Sequence, residues 1–223
     1  MDKYDKLDNV DIVKKAYNAI AHFFDPMLEV KNSSQKEVNF MNKFMTYLPP
    51  NGLIADLGCG AGKHGRYCAG KGYTVTGYDI SDKMISLAKK YNETYPQMSI
   101  LKIADIRNFA CEELYDGVVA LYSLIHLTPS QTIETLNNVK KYMKPGAHIA
   151  ISVYLGTRNG YEEEVLNNNY LQYFYDYSEE SIIKLLEQVG FIIDEKKLWC
   201  DEDEITASNP DEEYGVVGII AHI

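Results

Sequence analysis

From residue 53 onward the chain alternates short apolar runs with amphipathic stretches of helical period, and this alternation restricts the possible folds more than any other feature. Such a pattern is the mark of β-α-β units, which build a parallel sheet covered by helices. Strands are expected at 53–57, 74–78, 99–103, 117–122 and 148–154, with helices at 62–71, 82–95 and 129–143 between them. The last of these helices is well bounded: Thr128 as N-cap, Pro129 in the first turn, Gln131 completing a capping box, and Lys144-Pro145-Gly146 as the stop. A further helix begins at Ser178, carries Glu179 and Glu180 at its positive end, and stops at Gly190.

The end of the chain breaks the parallel rule. Residues 191–199 and 214–223 both read as strands, and the segment between them is too short and too polar for a crossover helix. Two strands joined in that way pair antiparallel. Upstream of the sheet, Ile12, Val13, Ala16, Tyr17, Ile20 and Phe24 mark one helix that stops near Asp25-Pro26. A second opens with Ser34 and Glu37 in capping-box relation, carries Val38, Met41, Phe44, Met45 and Leu48, and ends at Pro49-Pro50. Residues 1–50 are therefore read as an N-terminal helical cap. Residues 51–223 are read as the core, with an insert at 155–177, and the whole is one domain.

Composition removes several classes of function. The 22 basic residues against 32 acidic ones give a net charge of −10, the wrong sign for a polyanion binder. Much of the excess sits in 201–213, which holds seven acids and no base and leaves 25 acids elsewhere against the 22 bases. No apolar run approaches the ~20 residues of a membrane span. The first eight residues, with Asp2, Asp5 and Asp8, do not resemble a leader, so no membrane partner and a cytoplasmic address are expected. Cys59, Cys68, Cys111 and Cys200 form no Cys-x-x-Cys pair; they read as buried thiols in a reducing compartment, and no metal site is expected.

Chemistry concentrates after the first strand, in Asp56-Leu57-Gly58-Cys59-Gly60-Ala61-Gly62-Lys63-His64-Gly65. Glycines between a strand and a helix let the chain turn sharply and let a ligand approach the backbone, as a nucleotide-type cofactor requires. Gly60 to Gly65 matches the dinucleotide fingerprint, and Asp79 closes the second strand nineteen positions after Gly60, where an acid suits a ribose hydroxyl pair in NAD or in another adenosine cofactor. Three features favour the second. Asp56 puts a carboxylate where a cationic amino group is welcome and a pyrophosphate is not. Asp105 closes the third strand, opposite an adenine amino group. The terminal antiparallel pair departs from a dehydrogenase sheet.

The segments Asp56–Gly62, Gly77-Tyr-Asp79-Ile-Ser, Ala104-Asp105-Ile106 and Tyr115–Leu127 together resemble the class I S-adenosylmethionine-dependent methyltransferases, as do Met143-Lys-Pro-Gly146 and Leu185-Leu-Glu-Gln-Val-Gly-Phe191. The resemblance spans about residues 50–223. It implies an α/β fold: a Rossmann-like seven-stranded sheet of order 3-2-1-4-5-7-6, with the last strand antiparallel and helices on both faces. It also implies S-adenosyl-L-methionine as cofactor. Gly58, Cys59, Gly60 and Gly62 would form the loop under the methionine part, with Asp56 supporting it and Cys59 a small filler. Asp79 would bind the ribose and Ile80 would lie against the adenine, whose edge Asp105 and Ile106 would hold. Ala120 and Leu121 would offer carbonyls to the amino group. Tyr17 resembles a helix tyrosine that reaches the cofactor in some small-molecule members, although Phe24-Asp25 stands where those often have Tyr-Asp.

Structural roles stand beside these. Asp79 or Asp82 also suits a cap for the helix near Ser81, and Asp105 a cap for the turn after it. Lys63 and His64 read as first-turn surface or packing residues. For a methyltransferase the acceptor would be a small molecule, because residues 121–126 lack the motifs of base, glutamine or cytosine-carbon methylation. His126 is the candidate general base, with support of the loop as its other reading. The insert carries Tyr161, Tyr170, Tyr173, Phe174, Tyr175 and Tyr177. It also carries Glu162, Glu163, Glu164 and Asp176 against Arg158 alone, a sign that favours neutral or amine acceptors. The competing readings are a protein that binds S-adenosylmethionine or its demethylated product without turnover, aminopropyl transfer, and a nicotinamide-dependent oxidoreductase.

Overall fold

The computed structural model describes residues 4, 7–27, 35–92, 98, 100–163, 170–200 and 215–223. Ser34, Ser99, Glu164 and the acidic run 201–213 lie outside them. The expected alternation is present: β1 (Leu53–Leu57), α3 (Lys63–Gly70), β2 (Thr74–Asp79), α4 (Asp82–Tyr91), β3 (Ile100–Ile103), β4 (Tyr115–Leu121), α5 (Pro129–Val139) and β5 (Met143–Leu155). It is preceded by α1 (Asn9–Ile20) and α2 (Gln35–Met45). After β5 come β6 (Asn159–Glu162), β7 (Gln172–Tyr175), α6 (Glu179–Val189), β8 (Ile192–Cys200) and β9 (Gly215–His222).

Seven strands form one sheet in the order β3-β2-β1-β4-β5-β9-β8; counted among sheet strands alone, this is 3-2-1-4-5-7-6. The pairs from β3 to β5 are parallel, and β9 runs antiparallel to both β5 and β8. The order reverses between β1 and β4. Right-handed crossovers from the two halves therefore deliver their helices to opposite faces and leave a crevice at the carboxyl ends of those two strands.

Local signals explain most boundaries. Thr128 and Gln131 form the capping box of α5 with Pro129 in its first turn, Ser178 caps α6 together with Ser181, and Gly190 ends α6 in the left-handed region at φ +89°. Other expectations need correction. The α5 helix stops at Val139, and Lys144-Pro145-Gly146 is not its stop but lies inside β5, where Gly146 takes φ +75°. Neither Asp79 nor Asp82 caps α4; Ser81 does, accepting from the Met84 amide at 3.1 Å. The insert contains a two-stranded antiparallel pair, β6 with β7. The capping box expected of Ser34 and Glu37 falls partly outside the described residues; Glu37 itself is buried, with its carboxylate turned toward α3.

Within 1–50 the two helices do different work. Helix α2 lays Phe40, Met41 and Phe44 into the main core, whereas α1 crosses the carboxyl ends of the strands. At the antiparallel edge, Phe40 and Trp199 pack with ring centroids 5.4 Å apart over Gly218. A Cβ on Gly218 would lie 2.4 Å from the Trp199 ring and 2.9 Å from Phe40. Overpacking of this kind costs about 1–3 kcal/mol. Gly218→Ala is therefore expected to lower the free energy of unfolding by that amount, read in a urea titration as a lower midpoint with an unchanged m-value. The emission of Trp199, the only tryptophan in the chain, reports the transition. An unaltered midpoint would contradict the packing described here.

Candidate active site

The loop from Gly58 to Gly62 lies at the crevice and is tied down mostly by its own neighbours. Gly58, Gly60 and Gly62 have φ of +68°, +52° and +82°, where residues with a Cβ are strained. The amides of Gly58 and Cys59 both donate to the Tyr78 carbonyl, at 2.8 and 2.9 Å, and the Gly62 amide donates to the Cys59 carbonyl at 2.8 Å. The Gly60 amide donates to Asp79 Oδ2 at 2.7 Å. Four loop amides are thus consumed inside the protein and are not turned toward a ligand. A Cβ on Gly60 would meet nothing within 4 Å, so the loop borders open space at that point.

Asp56, next to last in β1, is almost wholly buried, and its Oδ2 has no hydrogen-bond partner. That oxygen faces the first turn of α3, 2.9 Å from where a Cβ on Gly65 would stand. Burial pushes its carboxyl up to about 6. Asp79 ends β2, with Oδ1 accepting from the Ser81 amide at 2.8 Å and Oδ2 from Gly60. Burial lifts it to about 6 as well, despite those two amides. Ile80 and Ile106 are half-buried beside it, packed against the main core. Asp105 accepts from the Arg107 amide at 2.9 Å and pairs with the Arg107 guanidinium at 2.8 Å, so it carries the structural role foreseen for it, a cap on the turn Ile106–Asn108. Arg107 also reaches Asp8 at 3.1 Å, joining this corner to the start of α1.

Ala120 and Leu121 are buried at the end of β4, and Tyr122 then takes φ +56°, a strained value for a bulky residue. The chain turns so tightly here that Ser123 fills the space beside Gly58; a Cβ on Gly58 would lie 2.4 Å from Ser123 Cβ. Cys59 is buried, with Sγ 2.9 Å from where a Cβ on Gly77 would be, which is the position of a filler.

Tyr17 and His126, far apart in sequence, meet above this crevice. The Tyr17 hydroxyl lies 3.0 Å from His126 Nε2, and His126 Nδ1 lies 2.9 Å from the Tyr173 carbonyl. A carbonyl only accepts, so the ring proton resides on Nδ1 and Tyr17 donates to Nε2. Burial lowers the imidazole to about 4, keeping it neutral. Helix α1 is pinned across the site by Asn9, which donates to the His126 carbonyl at 2.7 Å and exchanges hydrogen bonds with Gln131. Asn18 accepts from Ser81 Oγ at 2.6 Å and donates to Asp82 at 2.8 Å.

Sequence reasoning missed a second polar group. Buried Glu37 accepts from Lys63 and His64, each at 3.1 Å, and from the Tyr122 hydroxyl at 3.2 Å, which in turn accepts from Trp199 Nε1 at 3.1 Å. The position of Tyr122 directly after β4 was its only sequence signal. In the insert, Asp176 is enclosed and bound by Arg158 at 2.8 Å, so it adds no free charge to the entrance.

A methyltransferase-domain family model matches residues 54–146. The chain is 34% identical over 111 residues to YqeM of Bacillus subtilis (strain 168), which carries a provisional methyltransferase name. The match covers 48% of this chain and 44% of that protein, so the chain spans less than half the length of this relative. Magnesium protoporphyrin IX methyltransferase from Synechocystis PCC 6803, solved with bound S-adenosylhomocysteine, superposes with a TM-score of 0.68 at 20% identity, over 96% of this chain and 99% of that one. The 4+2 cyclase SpnF superposes at 0.71 with 12% identity, over 94% and 95%. These two likenesses speak to the fold.

The hydrogen bonds at His126 can be tested directly. Long-range proton–nitrogen spectra are expected to show a neutral, Nδ1-protonated ring at pH 7 that takes up a second proton only near pH 4. Titration near 6.5 would contradict the buried geometry.

Proposed function

We propose that this chain, which through residues 54–146 belongs to the class I S-adenosylmethionine-dependent methyltransferase family, transfers a methyl group to a small-molecule acceptor. The observation that carries the choice of cofactor is the spending of the loop amides. A dinucleotide fingerprint aims its amides and helix terminus at a pyrophosphate. Here two amides of that fingerprint, Gly60 and Gly62, are satisfied internally along with the two before it, Gly58 and Cys59, and a buried carboxylate lies beneath the first turn of α3. That surrounding suits a cofactor without phosphates and with a cationic amino acid portion.

S-adenosylmethionine, when bound, supplies a methyl group already activated by positive sulfur. Asp79 holds the ribose hydroxyls, its two backbone hydrogen bonds leaving lone pairs free to accept them. Ile80 and Ile106 flank the adenine, and Asp105 holds its edge through whatever acceptor capacity Arg107 leaves. Gly58, Cys59, Gly60 and Gly62 form the floor under the methionine part. Asp56, sealed beneath α3, acts there through its field and not through direct contact. Ala120 and Leu121 present backbone to the amino group.

Displacement at the methyl carbon needs alignment and exclusion of water more than acid–base chemistry. Tyr17 and α1 close the crevice from above. If the acceptor carries a proton, the Tyr17 oxygen accepts it as the Tyr17 proton passes to His126 Nε2; His126 thus works through Tyr17 and holds it in place. Glu162 and Glu163 on the hairpin favour neutral or amine acceptors over phosphorylated ones.

Calorimetry tests the reading. S-adenosylhomocysteine is expected to bind and NAD is not. Because Asp79 must be ionised to accept from the ribose, affinity is expected to rise with pH through about 6, falling about tenfold from pH 7 to pH 5. Asp79→Ala is expected to lose at least about tenfold in affinity at pH 7. With an acceptor found by panel screening, His126→Gln is expected to lower kcat while leaving S-adenosylhomocysteine affinity unchanged. Tight NAD binding, or no binding of S-adenosylhomocysteine, overturns the proposal.

A further inference from the structure

At the end of the sheet remote from the glycine loop, the last three strands bring together His148, Asp194 and His222. His148 on β5 and His222 on β9 are direct register partners, so their side chains stand side by side on one face. The pairing of β8 with β9 slips between Ile193 and Glu195, and the residue in the slip is Asp194. A bulge re-aims its side chain, and this one turns a carboxylate onto the two imidazoles. Asp194 Oδ2 lies 2.9 Å from His222 Nδ1 and 3.6 Å from His148 Nε2, and one donor atom from each residue lies within 4.8 Å of the other two.

We propose that His148, Asp194 and His222 form a binding site for a divalent transition-metal ion of the zinc type, separate from the cofactor crevice. Two imidazoles and one carboxylate are a donor set that suits Zn²⁺, with water completing four-coordination. With metal–ligand bonds of 2.0–2.1 Å, neighbouring donors in a tetrahedron stand about 3.3 Å apart. The two distances from the carboxylate fall on either side of that value, so small side-chain rotations bring it about. Asp194 pairs with no lysine or arginine among the described residues, whereas the next residue, Glu195, is bound by Lys43 at 3.1 Å. The carboxylate therefore has no fixed cation to balance it. The rest of the setting is rigid: the His148 ring stacks on Tyr47 with centroids 4.7 Å apart. The three side chains retain 15%, 19% and 30% exposure, enough for an ion to enter and keep a water. A metal here would join β5, β9 and β8 at the end opposite the Cys200–Gly215 pair and stabilise the edge of the sheet.

The test uses the full chain, treated with EDTA, dialysed, and titrated with Zn²⁺ against a chromogenic chelator. One ion per chain is expected, with Tm raised by about 5 °C or more at Zn²⁺ a hundredfold above Kd. Co²⁺ is expected to give the visible absorption of a four-coordinate site. His148→Gln and His222→Gln are each expected to weaken Zn²⁺ binding at least tenfold, and the double variant to abolish the Co²⁺ band, with S-adenosylhomocysteine affinity unchanged. Asp194→Asn provides the same readout should a histidine variant fail to fold, as judged by Trp199 emission without metal. Absence of stoichiometric binding by the native chain, or binding unchanged in the folded variants, overturns the proposal.

Discussion

The contact between Gly58 and Ser123 leaves no room for a side chain, and the functional end of the sheet is arranged around it. A methyl group at Gly58 would overlap Ser123 Cβ at 2.4 Å. The loop after β1 and the loop after β4 can therefore close on each other only with hydrogen at that position. Their closure follows from the sheet order: β1 and β4 are adjacent at the reversal, so their exits face one crevice. The left-handed turns of Gly58 and Tyr122 are two halves of the same constraint. The strain at Tyr122 is held by hydrogen bonds of its hydroxyl to Glu37 and Trp199.

Helix α1 then covers the crevice with a buried apolar face, Val10, Val13, Ala16 and Ile20, and with side-chain amides at its two ends. Asn9 and Asn18 bind opposite rims, one at the His126 turn and the other at the start of α4. Each amide bond contributes on the order of 1 kcal/mol.

The sheet was legible in the sequence because its signals are local: apolar runs, caps and glycines within a few residues of one another. Thr128 with Gln131, and Gly190 after α6, act at short range, and both stand where their patterns place them. Residues whose partners are distant in the chain were not legible. Nothing near Glu37 in the chain announces that its buried carboxylate is paired with groups 27 and 85 positions away. Lys144-Pro145-Gly146 looks like a helix stop, but α5 had already ended in a tight turn and the triplet enters the sheet as β5 begins. The hairpin of β6 and β7 was hidden because tyrosine is apolar and polar at once, which blurs the alternation of a strand. The His148, Asp194 and His222 cluster depends on a register slip that no sequence pattern announces.

A shared fold does not by itself choose the chemistry, since SpnF, with the same architecture, is named for a cyclisation. What distinguishes one such protein from another is which side chains line the crevice and in what protonation state. Here the Tyr173 carbonyl fixes the His126 proton on Nδ1, and that leaves Nε2 as an acceptor for one donor only, the hydroxyl of Tyr17. Because the carbonyl belongs to β7, the paired strands of the insert set the direction of this hydrogen bond. The insert and the Tyr17–His126 pair are therefore one mechanical unit. A change in the hairpin register would turn the imidazole and remove the support of Tyr17 without altering any residue of the crevice.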